Sequence, residues 1–185
     1  MIIANRLKEF IKKKGVGLDQ LSGQISRSGL DVKKAKSAIS NWQKGLLKPQ
    51  PSNADIEALA KALGVEVGDL RGWKSSYKYA PVSPTKARLV TELVAGRDVQ
   101  DALDLLKFTN KRAAVMVEKA LKSAVANADE QEADVESLFV YEARVDGGGV
   151  RLGTKRWHPK DRGRAHAIRK QCCHINIVVA EEMKV

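Results

Sequence analysis

The sequence lacks the features that define several classes of protein. No apolar run approaches the ~20 residues that cross a bilayer, so we expect no transmembrane segment and no membrane partner. The first residues show no secretory apolar region followed by a small-residue cleavage site, which predicts a protein that is not exported. The two cysteines, Cys172 and Cys173, are adjacent and cannot build a disulfide framework. These absences favour a folded cytoplasmic protein.

Patterns typical of a metal site or a catalytic centre are also missing. The stretch Cys172-Cys173-His174, together with His158 and His166, shows neither C-x-x-C nor H-x-x-x-H spacing. Gly147-Gly-Gly has no following Gly-Lys-Ser/Thr and is no phosphate loop. The acidic residues of 129–136 have no histidine or lysine partner for acid–base chemistry. We therefore predict no metal, no cofactor and no enzymatic activity, and we interpret His174 as a hydrogen-bonded structural residue.

What the chain does have is a large surplus of positive charge. It contains 33 Lys and Arg against 22 Asp and Glu, a formal charge of +11. Residues 1–80 hold 15 of the basic and 7 of the acidic side chains, and residues 151–170 hold eight basic side chains and one acidic. The neighbouring residues 129–136 hold five acids, which we interpret as a solvated loop. This charge predicts a polyanionic partner, most often nucleic acid.

The periodicity of apolar residues divides the chain near Gly72–Pro84. Before this break it predicts short helices, among them one over 33–44 and one opened by a capping box at Ser52–Asp55. After it come three helices and two strands, 137–145 and 174–180. The first of these three helices carries the apolar residues Ala87, Leu89, Val90, Leu93 and Val94 before Gly96. In the second and third, Asp98 and Asn110 are the expected N-terminal caps.

The segment between the two predicted strands, residues 147–167, has almost nothing to bury. A ribbon without an apolar face is marginal in water, and its like charges repel. Two interpretations stay open for it: a basic hairpin that a polyanion orders through counterion release, or a disordered solvated loop. Gly163, between two arginines, would let the backbone approach a phosphate closely.

Six stretches in the second half carry a family resemblance. They are Lys86-Ala-Arg-Leu-Val, Ala102-Leu-Asp-Leu-Leu-Lys-Phe-Thr-Asn-Lys-Arg-Ala-Ala, Leu121-Lys-Ser-Ala-Val-Ala-Asn-Ala, Lys155-Arg156 with Pro159, Arg162-Gly-Arg-Ala and His174-Ile-Asn-Ile-Val-Val. In this order they resemble the bacterial large-subunit ribosomal protein L-twenty-two family, which residues 83–185 follow nearly end to end. The chain departs from that family's pattern at Lys160-Asp161, where a small residue usually follows the basic one.

This resemblance implies a structural protein of the large ribosomal subunit that performs no catalysis. The expected partners are large-subunit ribosomal RNA, neighbouring ribosomal proteins and the nascent peptide in the exit tunnel. The residues expected to bind ribosomal RNA are Lys86, Arg88, Lys111, Arg112, Arg151, Lys155, Arg156, Lys160, Arg162, Gly163, Arg164, Arg169 and Lys170. Trp157, His158 and Pro159 are expected at the tunnel tip, where Trp157 would stack on a base, stack on a peptide or brace the turn.

The first part carries a second resemblance. Its stretches are Ala38-Ile-Ser-Asn-Trp-Gln-Lys-Gly, Lys48-Pro49, Ile56-x-x-Leu-Ala-Lys-Ala-Leu-Gly-Val and Asp69-Leu. They resemble phage-repressor-type (Cro-like) helix-turn-helix domains, in which the helix 33–44 would lie in a DNA major groove. The residues on that helix that suit nucleic acid are Lys33, Lys34, Lys36, Ser37, Ser40, Asn41 and Lys44.

Three roles stay open for this first part: contact with additional ribosomal RNA or ribosomal proteins, DNA binding, or a purely structural extension. The alternative function for the chain is a helix-turn-helix DNA-binding regulator fused to a ribosomal protein domain. The predicted fold is α+β, with a small all-α helix-turn-helix domain (1–74) before a ribosomal domain (75–185). The latter is a three-helix, antiparallel-sheet body with a long basic β-hairpin at about 137–180. The expected location is the cytoplasmic ribosome.

Overall fold

A computed structural model describes residues 1–25, 31–151, 153 and 156–182. These residues form two compact units. The first consists of Met1–Gly72 together with the described residues from Ala180, and the second is Trp73–Val179. The mixed α+β class with antiparallel sheets is confirmed.

The described residues of Met1–Gly72 contain five helices. They are α1 (Ala4–Lys14), α2 (Leu18–Ser22), α3 (Val32–Gln43), α4 (Asn53–Leu63) and α5 (Val67–Leu70). Gly15 and Gly64 end α1 and α4 in the left-handed conformation, which glycine adopts without a steric cost. The predicted capping box is present, since Ser52 Oγ accepts from the Asp55 N–H at 3.3 Å and Asp55 Oδ2 accepts from the Ser52 N–H at 2.8 Å.

Apolar side chains from all five helices make the core of this unit. Trp42 is buried, and its indole N–H donates to the Pro49 carbonyl at 2.6 Å, which holds the segment after α3 against the helix. Arg6 is also buried, and its guanidinium donates to the carbonyls of Asp69 at 3.0 Å and Glu181 at 2.7 Å. A buried charge is tolerated because these carbonyls replace its water.

The second unit places three helices against a three-stranded sheet. The helices are α6 (Pro84–Val94), α7 (Val99–Phe108) and α8 (Arg112–Asp129), and the strands are β1 (Trp73–Ala80), β2 (Leu138–Val150) and β5 (Gln171–Glu181). The strand order is β1-β5-β2, with β5 in the middle. Strand β1 is antiparallel to β5, with Trp73 opposite Val179 and Ser75 opposite Ile177.

A face of α8 rich in small side chains forms the centre of this core. Ala113, Val117, Ala120, Leu121 and Ala124 are all buried, and α8 packs on β1. Small side chains let the helix backbone approach the sheet closely. Two polar contacts fix the packing, from the Trp73 indole to Gln131 at 3.1 Å and from the Asn127 amide to the Lys74 carbonyl at 3.2 Å.

The structure corrects two expectations. The break expected near residue 72 contains strand β1, so a domain boundary after residue 74 would fall inside that strand. Helix α8 begins at Arg112 after Lys111, so Asn110 is not its N-terminal cap. Asp98 is the N-cap residue of α7 as expected, although its side chain makes no capping bond. On α6, Leu89 and Leu93 are exposed, whereas Thr91 is buried with its hydroxyl donating to the Arg88 carbonyl.

Candidate nucleic-acid interface

Strands β2 and β5 lead from the buried core to an exposed region of the chain. The residue numbers of their contacts rise along β2 and fall along β5, as in an antiparallel pair. Asn176 Nδ2 donates to Asp146 Oδ2 at 2.8 Å, Cys172 Sγ lies 3.1 Å from the Gly148 oxygen, and the Arg151 N–H donates to the Lys170 carbonyl at 2.8 Å. Cys172 and Cys173 are buried, and every described residue from 156 to 171 is exposed. The core therefore ends at Cys172.

Beyond that point the chain forms a second, two-stranded antiparallel sheet. Its strands are β3 (Arg156–Pro159) and β4 (Ala165–Ile168), with Trp157 opposite Ala167 and His158 opposite His166. A turn over Lys160–Arg164 joins them, closed by the Lys160 N–H donating to the Arg164 carbonyl at 3.0 Å. Trp157, His158 and Pro159 thus lie on the strand that leads to the turn, and the turn itself is Lys160–Arg164.

The turn has an unusual backbone. Arg162 and Gly163 follow each other in the left-handed region, with φ of 52° and 73°. Glycine suits this conformation, whereas arginine is strained in it. No atom beyond its chain neighbours lies within 4 Å of the position that a Gly163 side chain would occupy. The turn therefore presents open backbone between two arginine side chains, as an approach to phosphate requires.

We call the described residues of 151–170 the basic arm. All of its basic residues are exposed: Arg151, Arg156, Lys160, Arg162, Arg164, Arg169 and Lys170. Within the part of the chain that the structure describes, no salt bridge joins Arg156, Lys160, Arg162, Arg164, Arg169 or Lys170 to a carboxylate, the Asp161 side chain included. Lys155, which was expected in this set, lies outside the described residues. The arm therefore concentrates positive charge that its own acids do not neutralise.

The predicted basic residues of the body are brought together only in part. Lys86 on α6 and Lys111 and Arg112 at the start of α8 line one groove of about 500 Å³. Its apolar wall includes Leu89 and Leu93, two apolar residues of α6 that are exposed and lie outside the core. Arg88 is exposed and does not line this groove. No local sequence pattern indicates this groove, because the two helices that form it meet only in the folded body.

Helix α3 of the first unit presents a basic surface of its own. Lys33, Lys34, Lys36 and Ser37 are exposed, with Lys44 just after the helix. Ser40 and Asn41 are half-buried, and Asn41 Nδ2 donates to the Lys48 carbonyl at 3.0 Å. Lys36 forms an ion pair with Asp19. Lys34 Nζ also lies 4.0 Å from Asp31 Oδ2, so among the described residues Lys33 and Lys44 are the lysines of this surface without an ion pair, while Asn41 already serves the fold.

Polar contacts near the base of the arm shift two ionisation equilibria. The hydrogen bond and the charge of Asp146 raise the pKa of Arg144, and Arg144 in turn holds the pKa of Asp146 below its ordinary value. Burial raises the pKa of the Cys173 thiol, with a smaller contribution from Cys172. His174 Nδ1 accepts the Tyr79 N–H at 3.0 Å, so His174 is the hydrogen-bonded structural residue that we expected.

The described residues show neither a candidate metal site nor a candidate membrane-spanning helix. No group of three or more His, Cys, Asp or Glu side chains in 1–25, 31–151, 153 and 156–182 is placed to hold a metal ion. Over the same ranges, no helix combines the length and the apolar character needed to cross a membrane.

Comparison with known proteins gives one family match. A family described as "Ribosomal protein L22p/L17e" matches residues 75–180. The large ribosomal subunit protein uL22 of Bdellovibrio bacteriovorus is 48% identical over 110 residues, which cover 59% of this chain and 97% of that protein. The proteins of the same name from Syntrophobacter fumaroxidans and Aquifex pyrophilus are 49% identical over 106 residues and 46% over 105, covering 94% and 77% of those proteins and 57% of this chain. The family match begins at residue 75, so the helices α1 to α5 lie outside it.

Proposed function

The chain belongs to the ribosomal protein L22p/L17e family, and on this premise we propose how its surfaces meet the large ribosomal subunit. Membership makes the chain a structural constituent of that subunit, in a family that has no enzymatic activity. It binds large-subunit ribosomal RNA beside other ribosomal proteins. We infer further that the basic arm runs between RNA segments and that its end lines the nascent-peptide exit tunnel of cytoplasmic ribosomes.

The exposure of the whole basic arm is the observation that carries this proposal. A two-stranded ribbon that buries no side chain gains little from packing, and its arginines repel one another in water. Phosphates remove that repulsion, and each neutralised phosphate releases counterions. Gly163 in the turn lies nine positions before Cys172, which at ~3.3 Å per residue gives a reach of roughly 30 Å. An arm of this length can pass between RNA segments that the body does not touch.

The body would anchor the same RNA through its groove. Lys86, Lys111 and Arg112 converge there from two helices, so a single phosphate-bearing strand could meet all three. Thr109 and Asn110 add polar groups that bind sugars and phosphates. Contacts of this kind fix the position of the protein and read no base sequence.

Particle fractionation tests the ribosomal role. On sucrose gradients at low magnesium, where subunits separate, we expect the full chain to sediment with the large subunit. A variant with Arg162→Gln and Arg164→Gln should be depleted from those particles, since two charges of the arm are lost. The matched control, Lys119→Gln with Lys122→Gln, removes two exposed charges from α8, and it should assemble normally. A wild-type chain found free of large subunits would refute the proposal.

A second experiment tests the tunnel position. Trypsin releases Trp157–Lys160 as one peptide, because cleavage follows Arg156 and Lys160. A stalled nascent chain with a photoreactive side chain inside the tunnel should crosslink to this peptide or to the turn residues that follow it. Crosslinks confined to other ribosomal proteins, at every position of the photoreactive group, would place the arm elsewhere.

For the first unit we propose a Cro-like helical bundle whose helix α3 faces additional ribosomal RNA. The exposed lysines Lys33, Lys34 and Lys44 support this, since all three lie on or beside one helix. Lys33→Gln with Lys34→Gln in the full chain should weaken binding to large-subunit RNA, whereas Lys12→Gln with Lys13→Gln on α1 should not. Binding to one DNA duplex about a thousandfold tighter than to random duplex would instead favour the DNA-binding role.

A further inference from the structure

Strand β1 contains a backbone irregularity that changes where one aromatic side chain lies. Tyr77 is opposite Ile175 and Ala80 is opposite Cys173, so β1 has one more residue than β5 between these pairs. This is a β-bulge, a device that redirects a side chain out of the regular alternation. Within it Tyr79 has φ of 55°, a left-handed conformation that a bulky residue rarely adopts. The fold keeps a strained backbone at a residue that contributes nothing to the core.

The ring of Tyr79 is exposed to solvent, and a contact with a second ring orients it. Tyr79 is 67% exposed, although a tyrosine ring in a folded protein is usually partly buried. The His174 ring meets it edge-on, with the ring centroids 4.6 Å apart and an interplanar angle of 80°. The Tyr79 N–H donates to Nδ1 of the same histidine at 3.0 Å. One histidine therefore fixes both the backbone and the ring, and most of the phenol surface stays accessible.

The surroundings of Tyr79 are basic. With Val150, Arg151 and Cys172 it lines a pocket of about 270 Å³ where the basic arm leaves the body. Arg151 is exposed there, and Lys78 is exposed next to Tyr79 in the chain. A fixed, exposed aromatic ring beside arginine is the arrangement with which proteins bind unpaired nucleotides, the base on the ring and the phosphate on the cation.

We propose that Tyr79 is a stacking platform for one unpaired base of ribosomal RNA, whose phosphate lies at Arg151. This inference rests on the proposed function, which supplies the RNA. A base accounts for two observations together: the exposed ring offers a flat face on which a base can stack, and the positive charge beside the ring attracts the phosphate of the same nucleotide. An apolar segment of a neighbouring protein would cover the ring but would gain nothing from that positive charge.

Photocrosslinking of assembled large subunits tests the stacking directly. Trypsin releases Tyr79–Lys86 as one peptide, and Tyr79 is its only aromatic residue. After irradiation with ultraviolet light we expect this peptide to carry a covalently attached nucleotide, detected by mass spectrometry. A peptide without nucleotide in particles that contain the full chain would overturn the inference, and so would a crosslink from Tyr79 to a protein.

Two variants of the full chain separate stacking from a purely structural role. Tyr79→Asn removes the ring and keeps a residue that tolerates the left-handed conformation, so it should unfold at the wild-type temperature or above. It should bind in vitro transcribed large-subunit RNA roughly tenfold more weakly, the loss expected for one stacked base. Tyr79→Phe keeps the ring and should bind like the wild type. Wild-type affinity in Tyr79→Asn would overturn the inference.

These outcomes separate this inference from the proposed function. If the wild-type chain does not join large subunits on gradients, the proposed function fails and the stacking site fails with it. If the chain joins them while the Tyr79–Lys86 peptide stays free of nucleotide and Tyr79→Asn binds normally, the stacking site alone is wrong.

Discussion

The body of the second unit and its basic arm are continuous in the chain, but different interactions stabilise them. In the body, β1, β5 and α8 bury apolar side chains on every facing surface, and the hydrophobic effect holds them together. In the arm, the described residues of β3 and β4 are exposed throughout, and only backbone bonds join the two strands. We therefore expect the body to fold through its own core, and we expect a polyanion to stabilise the arm.

The largest effect we expect from a single change is on the body. Leu121→Ala removes a fully buried side chain where α8 packs on the sheet, and it should lower the free energy of unfolding by about 2–5 kcal/mol. Urea unfolding followed by circular dichroism measures this loss. Leu89→Ala, on the exposed surface of α6, should change the free energy by no more than about 0.5 kcal/mol. Equal losses would mean that α8 is not the centre of the core.

The cysteines mark the border between the two regions. Burial of both thiols, together with the raised pKa of Cys173, should slow their alkylation at about pH 8 roughly a hundredfold or more relative to the unfolded chain, because only opened molecules react. Mass spectrometry of timed iodoacetamide reactions measures the rates. Fast labelling of folded protein would show that the border lies further into the body than Cys172.

Removing charge from the arm should leave stability unchanged and weaken RNA binding. Arg162→Gln with Arg164→Gln is expected to reduce the slope of log affinity against log salt concentration by about 1.4–1.8, the contribution of two phosphate contacts. Filter binding to large-subunit RNA at several salt concentrations measures the slope, and a thermal scan supplies the stability control. An altered unfolding temperature would mean that the arm contributes to the folded body.

The smallest effect concerns Asp146 on β2, which pairs with Arg144 on the same strand and accepts a hydrogen bond from Asn176 on β5. Because the Asp146 pKa is lowered below 3.8 in the folded protein, its contribution to stability is present above that value. The contribution is lost as the pH falls through the lower folded pKa. Asp146→Asn should cost about 1 kcal/mol or less at neutral pH and flatten this acid dependence, since the group is partly exposed. Thermal scans between pH 2 and 7 measure both effects.

Features set by neighbouring residues could be predicted from the sequence. The capping box at Ser52–Asp55 needs only four consecutive residues, and the buried face of α8 follows from helical spacing. Strand β1 could not be identified this way, because its partner β5 lies about a hundred residues further along the chain. The lysines and serines of β1 also interrupt the alternation of apolar and polar residues that indicates a strand.

In the candidate site, too, local features could be predicted from the sequence and features that depend on packing could not. The charge of the arm is visible in the composition of 151–170, and its exposure follows from the lack of apolar residues. The groove that joins Lys86 to Lys111 and Arg112 depends on how two helices pack, which spacing along the chain does not encode. The left-handed conformation of Tyr79 arises from the bulge opposite β5, and no local signal marks it.

The hydrogen bond from Arg6 to the Glu181 carbonyl has a consequence for the order in which the protein is completed during synthesis. The two residues are 175 positions apart, and at about 5–20 residues per second the ribosome needs roughly 9–35 s between them. Once residue 69 has been made, the guanidinium of Arg6 can donate to the Asp69 carbonyl, but the Glu181 carbonyl is added only at the end of that interval. The helices α1 to α5 are therefore made first and reach their final set of contacts only when residue 181 has left the exit tunnel of the ribosome that synthesises it.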